Sequence, residues 1–329
     1  MQEEKEPSAA EISDNLEPQV GGSLENFDFS PSGPHTVHVP VMLREIMAAL
    51  DPKPGQVIVD GTLGGAGHTR ALAEKVGKDG LVISLDRDPG AIERAEAALK
   101  GLPVILAESN FSELQEVLEE IKVGKVDGMM LDLGLSSDQL ADRERGFSFN
   151  SDGPLDLRFN TNEGKPASHL VNTMKESNLA DLIYEYGEER FSRRIARKIC
   201  EVRREKPIRT ACELAEIVRR CVPRSPHETI DRATRTFQAL RIAVNGEMQA
   251  LEKILREMPY CVKPGGKVAI LSFHSLEDRR VKDAFREKPF YRIVNKKPIL
   301  ADEEEVTRNP RSRSAKLRIA EIEIGRAHV

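Results

Sequence analysis

Apolar and polar positions along the chain alternate between two rhythms up to about residue 132, and then settle into one. Short apolar runs at 57–60, 81–86, 104–107 and 126–132 are rich in Val, Ile and Leu, as strands buried on both faces require. Between them, 66–76, 89–100 and 111–121 repeat apolar residues at three- and four-residue spacing, which predicts helices. A further helix is expected over 38–50, ending before Asp51-Pro52. Strands that alternate strictly with helices predict a parallel sheet with helices on both faces.

Near residue 141 the alternation stops. Residues 143–159 are a loop-like run of Gly, Pro, Asp and Asn, and 166–241 carries a helical pattern only. Within it Phe191, Ile195, Ile199 and Val202 form one stripe, and Arg193, Arg194, Arg197, Lys198, Arg203 and Arg204 occupy the other side. The earlier pattern returns with a helix at 246–258, a Pro264-Gly265-Gly266 turn and a buried strand at 268–273. Two more strands are expected at 291–295 and 315–324. The expected fold is therefore α/β and Rossmann-like, with about seven strands drawn from 35–140 and 243–329 and an inserted all-helical domain at 141–242.

With 329 residues, 39% of them hydrophobic, a packed core is within reach. No apolar run approaches the ~20 residues that a membrane helix needs, and no basic stretch followed by an apolar one opens the chain, so a soluble, cytoplasmic protein with no membrane partner is expected. The four cysteines form no C-x-x-C pair and read as buried thiols in a reducing compartment. The seven histidines are scattered, and no metal site is expected. A net charge of −5 conceals an uneven distribution. Residues 1–34 hold eight acids against one lysine and read as a disordered tail, whereas 190–241 hold fifteen Lys and Arg against six acids. Such a basic block suits a polyanion such as RNA, although a charged helix face is equally often only solvated.

The densest chemistry lies in the first two strands. Val57–Asp60 runs into Gly61-Thr-Leu-Gly64-Gly65-Ala66-Gly67-His68, and the second strand ends in Asp86, 22 residues after Gly64. Glycines permit a sharp turn and a close ligand approach, the following helix offers free N–H groups, and a strand-end carboxylate can accept from two ribose hydroxyls. Asp88, before Pro89, reads instead as a helix N-cap. The nicotinamide fingerprint is not matched, because Arg70 stands where a small residue is needed. Asp60, directly before the turn, points to S-adenosyl-L-methionine, as an acid that braces the loop and meets the cofactor's ammonium end.

Eight motifs in order carry a resemblance: Asp60-Gly-Thr-Leu-Gly-Gly-Ala-Gly-His68, Leu131-Asp132-Leu-Gly-Leu-Ser136-Ser137-Asp-Gln139, Glu144-Arg-Gly-Phe-Ser-Phe149, Asp152-Gly-Pro-Leu-Asp156, Tyr186-Gly-Glu-Glu-Arg190, Thr234-Arg-Thr-Phe-Gln238, Ser272-Phe-His-Ser-Leu-Glu-Asp278 and Ser312-Arg-Ser-Ala-Lys316. From about residue 35 onward the chain resembles the MraW family of bacterial 16S rRNA methyltransferases. The resemblance implies a class I S-adenosylmethionine-dependent methyltransferase sheet. It implies methyl transfer to the exocyclic N4 of a cytidine in the decoding region of 16S rRNA, with the small ribosomal subunit as partner. Cofactor contacts carry over onto Ala66, Gly67 and His68, onto Asp86 at the ribose, Phe111 beside the adenine, and Asp132 and Gln139 near the methionine end. Gly64 belongs to the same loop. The family usually has Gly where this chain has Ala66, and a methyl is accommodated there if φ is negative.

For the reaction itself, a carboxylate must accept N–H bonds from an amine whose lone pair is delocalised into the ring. Asp132 is the candidate, either in that role or as a contact to the methionine part. His274, at the end of a strand, either orients the base and relays its proton or is a satisfied core histidine. A base in folded RNA has to be flipped out to react, and Phe147 and Phe149 could take up its stacking or could instead plug the insertion onto the sheet. Arg193, Arg194, Arg197 and Lys198 are the candidate RNA contacts. Two rival readings are a methyltransferase acting on a small amine or protein, and a non-catalytic ribosome-assembly factor with a relict cofactor fold. The sequence leaves a homodimer possible and does not identify the proton acceptor.

Overall fold

The computed structural model describes residues 40–149, 152–224, 230–287 and 289–323. The expected acidic tail at 1–34 lies outside the described residues. The chain enters through α1 (Leu43–Leu50) and then alternates β1 (Val57–Asp60), α2 (Gly67–Val76), β2 (Leu81–Asp86), α3 (Pro89–Ala98), β3 (Val104–Glu108), α4 (Leu114–Glu120) and β4 (Val126–Asp132). Helix α1 starts at Leu43, after Met42 at φ 51°, so the expected 38–50 helix is shortened at its front. As expected, Asp88 caps α3, accepting the Gly90 N–H at 3.1 Å ahead of Pro89.

Helices then take over: α5 (Ser137–Ala141), α6 (Ala167–Thr173), α7 (Glu176–Gly187), α8 (Ser192–Glu205), α9 (Ala211–Cys221) and α10 (Thr234–Asn245). Helix α10 runs three residues past the expected end of the insertion, so that boundary falls inside a helix. The return comprises α11 (Glu247–Cys261), β5 (Val262–Ser272), α12 (Ser275–Glu287), β6 (Tyr291–Ile293), α13 (Glu303–Arg308) and β7 (Lys316–Ile322). The Pro-Gly-Gly segment is not a turn before a strand. It is an irregularity inside β5, where the pairing with β4 jumps from Val126↔Val262 to Gly128↔Lys267. Helices α12 and α13 had no counterpart in the sequence reading.

Among the described residues the seven strands form one sheet in the order β3-β2-β1-β4-β5-β7-β6, with β7 antiparallel to both its neighbours. This is the expected Rossmann-like α/β sheet. Its period-two alternation sorts strand side chains onto two faces. Ile58, Val82 and Met130 pack with α1 and α2, while Val59, Ile83 and Met129 pack with α4 and α11. The helical segment has an apolar cluster of its own around Leu155, Leu179, Ile183, Ile195, Ile199, Leu214 and Val218. The chain leaves β1 for β2 and β3 on one side and returns to β4 and β5 on the other. Ligands bind at the carboxyl ends of strands where the order reverses in this way.

Candidate active site

A cleft open to solvent lies at that point. Its walls include Gly64, Gly65, Gly67, His68, Asp86, Phe111, Asp132 and Gln139, which brings together most of the residues expected at a cofactor site. The loop after β1 turns through Gly64 at φ 49°. Gly67 opens α2 so close to Pro40 that a Cβ would sit 2.9 Å from its Cγ. Asp86 anchors the loop, accepting Gly64 N–H at 2.9 Å on Oδ2 and Asp88 N–H at 2.9 Å on Oδ1. Burial raises its pKa against these two donors, and each oxygen retains a lone pair for a ligand hydroxyl. Phe111 follows Asn110, whose side chain caps the next turn in a capping box with Glu113.

Two expected cofactor residues lie elsewhere. Asp60 is fully buried and does not line the cleft. It accepts from Thr69 Oγ1 at 2.7 Å and from Thr62 N–H at 3.1 Å, so it braces the loop from behind the cleft wall. Desolvation pushes its pKa up to about 7. Ala66 does not meet the condition of a negative φ: it caps α2 at φ 64°, and its methyl packs into a small core with Leu63, Ala91 and Ala95. Gln139 lines the cleft, but its amide already spans Ser136 N (3.0 Å) and Asp88 Oδ2 (3.2 Å).

Asp132 closes β4 with its side chain 18% exposed, and His68 Nδ1 is 3.8 Å from its Oδ2. The other His68 nitrogen donates to Val41 O at 3.0 Å. Burial pushes Asp132 up to about 7, opposed by Arg311 and reinforced by Asp60 and Glu277. His274 does not line the cleft; Glu277 does. Glu277 Oε1 lies 2.9 Å from His274 Nε2, and its Oε2 accepts Phe273 N–H at 2.8 Å. Burial works against the Glu277 charge, but His274, Arg241 and that N–H hold its carboxyl below the usual range. Ligand atoms of Glu247, His274 and Glu277 come within 4.8 Å of one another, yet the cation they face is Arg241, whose guanidinium forks onto Glu247 at 2.8 Å on both oxygens.

Of the two readings of Phe147 and Phe149, the aromatic clamp is not supported, because neither ring lines the cleft. Phe147 is buried and stacks on Phe159 with centroids 5.9 Å apart, and Phe149 meets Phe237 edge-on at 5.4 Å under Arg219. Both rings pack in the apolar cluster of the helical segment. Phe159 is the aromatic of this region that lines the cleft, held by its N–H to Asn245 Oδ1 at 2.7 Å. The sequence reading missed Phe159, Asn245, Glu277 and Arg311, which come from the insertion and the C-terminal third. Arg193, Arg194, Arg197 and Lys198 are exposed on α8; Arg197 is 3.8 Å from Glu176 and Lys198 3.0 Å from Glu201.

Residues 35–323 match the family model described as MraW methylase family. The chain belongs to the MraW methylase family. Three curated relatives, each named ribosomal RNA small subunit methyltransferase H, span nearly their whole lengths. That of Rhodopirellula baltica is 48% identical over 313 residues, 92% of this chain and 96% of its own. That of Deinococcus radiodurans is 49% identical over 291 residues, 88% of this chain and 91% of its own. That of Trichlorobacter lovleyi is 45% identical over 305 residues, 86% and 97% respectively. As a MraW-family sheet, the chain thus carries its loop, strand-end acid and β4 acid around one cleft. No helix among the described residues is long and apolar enough to cross a membrane.

Proposed function

We propose that the chain methylates the exocyclic N4 of a specific cytidine in the decoding region of 16S rRNA, on a base flipped out of its stack, with S-adenosyl-L-methionine as donor. Membership of the MraW methylase family and the names of the relatives support the methyl transfer and the small-subunit rRNA substrate. The observation that carries the rest is Asp132, a carboxyl at the β4 tip in the same cleft as the glycine loop and Asp86. The cleft fits the cofactor: the loop admits close backbone approach, Asp86 suits ribose hydroxyls, Phe111 suits an adenine face, and Asp132 suits a positive charge.

When bound, the cofactor supplies a methyl group activated by a sulfonium. The chain's task is to align and desolvate the amine and to receive its proton. Asp132 accepts an N4–H bond, which draws the nitrogen lone pair out of conjugation, and takes the proton as the N–C bond forms. Arg193, Arg194, Arg197 and Lys198 hold RNA phosphates on the exposed face of α8.

Small ribosomal subunits lacking the modification, incubated with the purified chain and methyl-labelled donor, test the reading. After digestion, mass spectrometry of the nucleosides is expected to find label in N4-methylcytidine alone. Label in another nucleoside overturns the site assignment, label in protein favours the rival substrate, and a flat cofactor-binding titration favours a relict fold.

A further inference from the structure

Three charged side chains from distant parts of the chain line the cleft together. Asp132 ends β4, Glu277 lies in the first turn of α12, and Arg311 comes from the 3-10 turn Pro310–Ser314; all three line the cleft. Arg311 is fixed on the loop that follows β4, donating to Ser137 Oγ at 2.6 Å and to Leu135 O. Glu277 is fixed by Phe273 N–H and His274, with Arg241 4.0 Å away. Neither belongs to the glycine loop or to the strand-end acid at β2.

We propose that Arg311 and Glu277 are positioning residues that act through Asp132, presenting opposite charges to the carboxyl that receives the proton of the target amine. The inference rests on the methyl transfer proposed above. In that transfer the N4–CH₃ bond forms as the S–CH₃ bond breaks, the bonding pair stays on sulfur, and the N4–H proton passes to the Asp132 carboxylate. Only an ionised Asp132 can take it. His68 from α2 stands 3.8 Å from it, and the charges of Arg311 from the 3-10 turn, Asp60 from β1 and Glu277 from α12 act on it through space. Behind Glu277 stand His274, Arg241 and Glu247. Desolvation and the two acids raise Asp132 to about 7 and Arg311 opposes them, so the charge on either neighbour bears on whether the carboxyl is ionised.

The test titrates the carboxyl directly, in the full chain without cofactor or RNA. Aspartate labelled with ¹³C at the carboxyl is followed by NMR, and the Asp132 signal is identified as the one missing in Asp132→Asn. Arg311→Met is expected to raise the midpoint, and Glu277→Gln to lower it, each by about one pH unit. Arg311→Lys keeps the charge and leaves the midpoint near its original value, which a purely structural role of Arg311 does not explain. If Glu277→Gln does not fold, Glu277→Asp, which withdraws the charge by one methylene, moves the midpoint down by less. An Arg311→Met midpoint that stays in place, or a Glu277 variant that moves upward, overturns the inference. N4-methylcytidine produced by a chain lacking these opposed shifts does so too, and spares the proposed function.

Discussion

Asp86→Asn isolates the claim that the β2 tip holds a ribose. In the folded chain each carboxylate oxygen accepts one backbone N–H, from Gly64 and Asp88, both at 2.9 Å. An amide has one acceptor oxygen, so whichever way it turns, its NH₂ group confronts a backbone donor. Leaving that partly buried N–H unpaired costs about 1–3 kcal/mol, part of which appears as a loosened glycine loop. One ribose hydroxyl also loses a charged acceptor, a bond of about 1.5–3 kcal/mol. Relief of the buried charge offsets a fraction, so cofactor binding is expected to weaken by about 2–4 kcal/mol, roughly 30- to 1000-fold at 1.4 kcal/mol per decade. Isothermal titration with S-adenosylhomocysteine reads the loss, and thermal unfolding of the same samples checks that the variant is folded. A dissociation constant within about threefold of the parent in a folded Asp86→Asn refutes the reasoning, because the ribose would then lie away from β2.

Asp60 makes the pH prediction. Its folded pKa of about 7 exceeds the ordinary 3.8, so the folded chain holds the proton more tightly than the unfolded one, and the stability this gives is full below about pH 4 and lost as pH rises through 7. Asp60→Asn, whose amide can still serve Thr62 and Thr69, is expected to flatten the fall in melting temperature between pH 5 and 8; parallel slopes would argue against it. Ala66→Gly relieves left-handed strain of about 1–2 kcal/mol but loses a buried methyl and gains unfolded-state freedom, together of similar size, so the melting temperature should barely change. Phe147→Ala opens the core of the insertion and is expected to cost about 3–5 kcal/mol in denaturant melts, with cofactor affinity per folded molecule retained. Charge reversal of Arg193, Arg194 and Arg197 should leave stability near the parent while weakening RNA binding and flattening its dependence on salt; an unchanged salt slope would remove α8 from the RNA interface.

The parallel half of the sheet was legible because buried strands and amphipathic helices write their periods into the residues that form them. The glycine loop was legible for the same local reason: turn chemistry and strand-end acids are contained in a few consecutive positions, and Gly64, Gly67, His68, Asp86, Phe111 and Asp132 do line one cleft. Ala66 failed locally, because its methyl found a place in the core at a backbone angle that its residue type disfavours. Asp60 braces the loop as expected but is not at the cleft, because position beside the loop does not say which way a side chain turns, and buried threonine donors claimed it.

What lay beyond the sequence is what long-range packing brings to the cleft. Phe159 rather than Phe147 or Phe149 borders it, Glu277 rather than His274 faces it, and Arg311 arrives about 180 residues after Asp132. A residue's type fixes the charge or ring it can offer, and local pattern fixes the element that carries it. Distance, burial and opposing charge, which set whether Asp132 is ionised, exist only once β4, α12 and the 3-10 turn have packed together.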